Sequence, residues 1–246
     1  MLVVLIVFFS LASSPVRLLA QNSQPNPRPS HPLPASLRPY QASSPEGDYF
    51  EQIRPSPYGY LIWSRFPVTV YIEKSQEPSD GRASQQRFQQ WTQAVQQALG
   101  DWKAYLSLQE VNDPAQADIQ IYRREPPLGV HRDPSTGQVQ IPRARNAQTR
   151  YEIYQSFTQP ALLLHRMVIE IKPGMGPQSI LATARHEIGH ALGLWGHSPV
   201  AKDVLYFSQT AQSPPISQRD IATLIKVYQQ PTQLGWPLVS GRETAP

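Results

Sequence analysis

Residues 186–197 read HEIGHALGLWGH and carry three of the chain's six histidines. No other stretch constrains the fold as tightly. His186 and His190 lie four positions apart, so on a helix their rings leave adjacent turns of one face. Two imidazoles spaced this way converge on one point only if the segment is helical. Gly193 then supplies a residue that tolerates the left-handed backbone with which many helices end. A third ring, His197, follows four positions later, after Leu194, Trp195 and Gly196. The chain must therefore contain a helix that stops near Gly193 and a sharp corner that brings residue 197 back toward the first two rings.

The intervening residues point to a chemistry. In the arrangement His186-Glu187-x-x-His190 two imidazoles can hold a zinc ion, which acidifies a water molecule and polarises a carbonyl, while Glu187 moves protons without ligating. The chain has no cysteine, so thiolate ligands, disulfides and cysteine nucleophiles are excluded. A catalytic zinc needs a third protein ligand and an open fourth position. No glutamate occurs between Glu187 and Glu243, which closes the route to a glutamate on a second helix. The remaining nearby donors are His197, the main candidate, and Asp203. In the pattern HExxHxxGxxH the last histidine lies three residues after the glycine; here it lies four after, and Gly196 is the residue able to absorb the extra position. One catalytic zinc ion is expected.

The rest of the chain divides by composition. Residues 2–12 are uncharged and apolar until Ser13, Ser14 and Pro15 interrupt them, short of a spanning length of ~20 residues. Residues 1–20 therefore read as a signal peptide, although no basic residue precedes the apolar run; an uncleaved membrane anchor is the alternative. A secreted or periplasmic location follows. Proline outnumbers glycine 26 to 13, and much of the excess falls in residues 21–58, expected to be a linker or pro-region without a packed core. Residues 60–232 read as the globular domain and 233–246 as a polar tail. A net charge of +4 with no basic run among aromatics gives no reason to expect nucleic acid. A monomer acting on protein or peptide is expected.

Within the domain, Val68, Val70 and Ile72 alternate as in a half-buried strand, with Ser79 or Asp80 available to cap the helix that follows. Phe88, Trp91, Val95, Ala98, Trp102 and Tyr105 recur at helical spacing. Strands are expected at 106–111, 117–123, 137–144 and 162–171. A helix should run from about Gln178 to Gly193, and a last helix should start at Ser217, with Asp220 three residues on. One helix, several strands, then two late helices make an α+β domain.

HEIGHALGL, ADIQI and ISQRDIATLIKVYQQ resemble the metal helix, third strand and C-terminal helix of the metzincins, and specifically of matrixin-like (matrix metalloproteinase) catalytic domains. The resemblance spans residues 66–230. It implies a twisted, mostly parallel five-stranded sheet with one antiparallel edge strand and three helices. It also implies a zinc metalloendopeptidase, with His186, His190 and His197 as ligands and Glu187 as general base. A peptide substrate would add itself beside the edge strand, for which 137–144 is the candidate. Leu205, in DVLYF, stands where the family has the methionine of its Met-turn, a packing role leucine can fill. Family members often carry a second zinc and calcium. Here His131, Asp133 and His165 could form a remnant of the second zinc site, but a loop His, a turn Asp and a strand His with unrelated roles is the favoured reading, and Asp133, Glu152 and Glu170 are scattered, so neither ion is expected. Latency through a pro-region cysteine is excluded, leaving Asp48 as a carboxylate able to cover the zinc, a steric pro-segment, or no latency as the alternatives. The alternative function is a catalytically silent metzincin fold used as a binding module, suggested by the longer motif and Leu205.

Overall fold

The computed structural model describes residues 28–75, 81–127, 131–132, 139–140, 145–208 and 214–238; the signal segment and the end of the tail lie outside them. The alternating valines form β1 (Val68–Ile72). Tyr71 is buried as well as Val68, Val70 and Ile72, so β1 is covered on both faces, as suits a strand with parallel neighbours on either side. Those neighbours are β2 (Leu108–Val111) and β3 (Ile119–Tyr122). Strand β7 (Leu163–Ile171) continues the parallel set beside β3, and β6 (Ala147–Gln155) closes the sheet antiparallel to β7, from Ala147 opposite Ile171 to Gln155 opposite Leu163. The order is β2-β1-β3-β7-β6. This is the expected α+β sheet with one antiparallel edge.

The edge strand is not the expected one. Within 137–144, Val139–Gln140 (β5) pairs instead with His131–Arg132 (β4) in a separate two-stranded ribbon. The edge is β6, whose signal in AQTRYEIYQ is weak: Ala147, Tyr151 and Ile153 pack against the core on alternate positions, but no position is fully buried.

Helix α1 (Gly81–Lys103) buries Trp91, Ala94, Val95, Ala98, Leu99 and Trp102; its proposed caps, Ser79 and Asp80, fall outside the described residues. Helix α2 (Pro177–Ala191) begins with proline at its first turn, where the missing N–H costs nothing, and ends before Gly193 at φ 122°. Helix α3 (Gln218–Tyr228) starts at the expected capping box, Ser217 and Asp220 each bonding the other's backbone. Trp102 Nε1 donates to Arg185 O at 2.9 Å, tying α1 to α2. No helix among the described residues is long and apolar enough to cross a membrane.

The Pro-rich segment corrects a second expectation. From residue 28 onward it is packed against the domain. Leu37 is fully buried, and Tyr49 and Ile53 nearly so. Asp48 pairs with Lys226 on α3 at 2.7 Å, so it faces that helix and does not cover the histidines. Tyr49 Oη donates to Asp220 at 2.6 Å. Proline composition forecasts a chain without regular periodicity; it does not forbid isolated apolar residues from docking. The start of the tail is packed too: Leu234 is buried, Gly235 N donates to Leu163 O at 2.7 Å, and Trp236 stacks on His31. Replacing Leu37 with Ala should lower stability by about 2–5 kcal/mol in urea unfolding, whereas a freely extended linker would show no change.

Candidate metal centre

His186 and His190 project from adjacent turns of α2 with their Nε2 atoms 3.1 Å apart. His197 closes the group: one ligating atom from each of the three residues lies within 4.8 Å of the others. Gly193 turns the chain out of α2, and the corner Leu194-Trp195-Gly196 returns residue 197 to the pair. The extra residue is therefore accommodated.

The remaining ring nitrogens decide the tautomers. His186 Nδ1 lies 2.8 Å from Val204 O, and His190 Nδ1 2.7 Å from Leu194 O. A carbonyl only accepts, so each neutral ring carries its proton on Nδ1 and presents a lone pair at Nε2. Two lone pairs facing each other at that distance repel unless a cation lies between them, and so this donor set fits a metal ion. Both carbonyls orient the rings as outer partners of metal-binding histidines commonly do. Burial, with the charges of neighbouring rings, holds His190 well below the ordinary histidine value and His197 below it. Both are thus in the neutral, ligating form at neutral pH.

Glu187 is buried beside His186. Burial raises its pKa, opposed by His186 and by a hydrogen bond from Thr149. Thr149 Oγ1 donates to Glu187 Oε2 at 2.6 Å. This partner was not anticipated from the sequence, because it sits on the unannounced strand β6. A cleft of about 560 Å³ opens alongside, lined by Ala147, Thr183, His186, Glu187, Tyr206 and Phe207 among others.

Leu205 lies fully buried under the helix. A Cβ on Gly189 would come 2.6 Å from Leu205 Cδ2 and 3.0 Å from the Trp102 ring, so a side chain there would force a shift in this packing. Asp203 does not join the histidines. Its carboxylate accepts from Ser198 Oγ, from Ser217 Oγ at 2.7 Å and from Arg219 Nε at 3.0 Å, which spends it on anchoring α3.

The second-metal set lies partly outside the described residues, which omit Asp133 and the side chain of His131. His165 is buried against Trp63, ring centroids 3.9 Å apart, and burial depresses its pKa to about 3. Glu152 pairs with Arg150 at 2.8 Å and Glu170 with Arg124 at 2.7 Å.

Residues 63–229 match the sequence model of the M10 peptidases, the matrixins. The chain is a matrixin. Its domain is of the zinc metallopeptidase type, and the family implies a catalytic zinc, for which the three histidines offer a site. A comparison with curated proteins finds no match.

The neutral His165 of this matrixin has a measurable consequence. Its folded value lies below the unfolded one, so its contribution to stability is complete above about pH 6.5 and is lost as pH falls toward 3. The loss approaches about 1.4 kcal/mol per pH unit. In His165→Phe, urea unfolding at pH 7, 5 and 4 should show a shallower acid decline than wild type by this amount.

Proposed function

We propose that this matrixin is an exported zinc-dependent endopeptidase that hydrolyses peptide bonds in proteins, with His186, His190 and His197 holding the ion and Glu187 as general base. The reading is carried by one observation: two imidazoles whose Nδ1 atoms bond backbone carbonyls turn their Nε2 atoms toward each other, with a third ring beside them and a buried carboxylate on the residue after His186. Zinc, when bound, supplies Lewis acidity to the scissile carbonyl and to the attacking water. Glu187 takes the proton of that water and delivers it to the leaving amine. Its raised proton affinity suits that double duty, and Thr149 holds the carboxylate in place through Oε2. Strand β6 ends the sheet order, and its outer edge offers main-chain donors and acceptors along which an extended peptide can lie. Export rests on the apolar residues 2–12.

The silent binding-module reading drew on the longer motif and on Leu205. Neither favours it, since His197 reaches the other two rings and Leu205 is packed beneath α2.

Metal analysis of purified protein should give one zinc per chain, with occupancy falling sharply in His197→Ala. Glu187→Ala should keep its zinc and lose about 10²- to 10⁴-fold in cleavage of a broad peptide library. Full activity in that variant would remove Glu187 from the mechanism.

A further inference from the structure

The N-terminal arm sits directly on the residue that lengthens the path to His197. A Cβ on Gly196 would come 2.1 Å from Gln52 O and 3.1 Å from Ile53 Cα. Next to it, the backbone N–H of Arg54 donates to Trp195 O at 3.0 Å. Inside the corner the backbone bonds are short-range ones, Trp195 N to Gly193 O at 2.8 Å and Gly196 N to Leu194 O at 2.9 Å. Leu194 is held from the helix side, its N–H donating to Gly189 O at 3.1 Å and its carbonyl bonding His190 Nδ1, whereas Trp195 O and the Gly196 backbone face the arm. The arm supplies the outside wall of the corner.

The same arm reaches the other side of the histidine group. Asp48 Oδ2 accepts from Lys226 Nζ at 2.7 Å, and Tyr49 N donates to Thr223 Oγ1 at 3.0 Å. Tyr49 Oη donates to Asp220 Oδ1, while Asp220 Oδ2 accepts from Val204 N at 3.0 Å. Val204 O in turn accepts a hydrogen bond from Nδ1 of His186. One short segment thus braces His186 through α3 and His197 through the corner.

Resting on the zinc reading above, we propose that residues 48–54 are a permanent positioning strap for the metal corner, retained in the working enzyme, and not part of a pro-segment removed to activate it. A blocking segment would cover the cleft at Glu187. No residue of the described arm lines that cleft, and His197 remains exposed. The arm meets the corner from behind, at the Gly196 backbone. It also lies outside the matrixin match, which begins at residue 63.

The test uses the full chain and four variants. Arg54→Pro removes the N–H that holds Trp195 O. Gly196→Ala drives a methyl group into Gln52 O. Val68→Ala trims the core in β1, away from the corner, and controls for lost stability alone. Two quantities are read: the rate at which zinc passes to a chelator, and the ring ¹⁵N signals of His197 in metal-free protein. The expected result is about ten-fold faster zinc release in the first two variants, the loss of roughly one hydrogen bond's worth of restraint. Shifted or broadened His197 signals should accompany it, with Val68→Ala unchanged in both. Tyr49→Phe, which removes a single hydroxyl, should disturb the His186 ring instead, and it keeps the test readable if Gly196→Ala fails to fold. Wild-type release and wild-type ring signals in both corner variants would overturn the strap, as would equal acceleration in Val68→Ala. A wild type that binds no zinc would defeat the zinc reading alone, since the metal-free ring signals still decide the strap. Mass analysis of the active species should find residues 48–54 present; an active form that begins after Arg54 overturns retention.

Discussion

Two backbone carbonyls, Leu194 O and Val204 O, accept hydrogen bonds from Nδ1 of His190 and His186, and much of the site follows from that pair of bonds. They set the tautomers, turn both Nε2 lone pairs inward, and fix where the chain must run on either side of α2. Leu194 belongs to the corner after Gly193, so the bond to His190 also anchors the segment that returns His197. Val204 precedes Leu205, so the bond to His186 seats that side chain under the helix. A ring, a carbonyl and a turn are held together at each end of the same two helical turns.

Behind Val204 lie two buried carboxylates, Asp203 and Asp220. Burying a charge is costly unless donors surround it, and here each carboxylate has at least three. Ser198, Ser217 and Arg219 converge on Asp203; Tyr49, Val204 and Ser217 converge on Asp220. Burial raises the pKa of Asp220 while those bonds pull it down. Helix α3 is thereby joined to the segment beneath the histidines through polar contacts with defined directions. Apolar packing alone would let the two slide.

The elements legible in the sequence are those whose signal is local. The spacing of His186 and His190, the helical periodicity from Trp91 to Trp102 and the Ser217–Asp220 box all describe what one segment does by itself. Strand β6 carries only a weak alternation, with three partly buried apolar residues, Ala147, Tyr151 and Ile153, and Thr149 was hidden with it. The packed arm was hidden for a different reason: Leu37, Tyr49 and Ile53 are isolated apolar residues among prolines, and their burial depends on surfaces hundreds of ångströms of extended chain away. Asp203 looked available as a donor until Arg219 and two serines were found on it. Proximity along the chain identified the three histidines; only the folded contacts show which other groups are already occupied.

Gly189, between the two turns that bear His186 and His190, lacks the one carbon that would strike Leu205 and Trp102. The consequence is a tolerance limit. A side chain at 189 would press on Leu205 and Trp102, so either the floor beneath α2 or the helix itself would have to give. A shift of the helix would carry both rings away from residue 197, whose own height is set by a different stretch of backbone. The smallest residue on the helix thus governs how three imidazoles from two independent supports come level with one another.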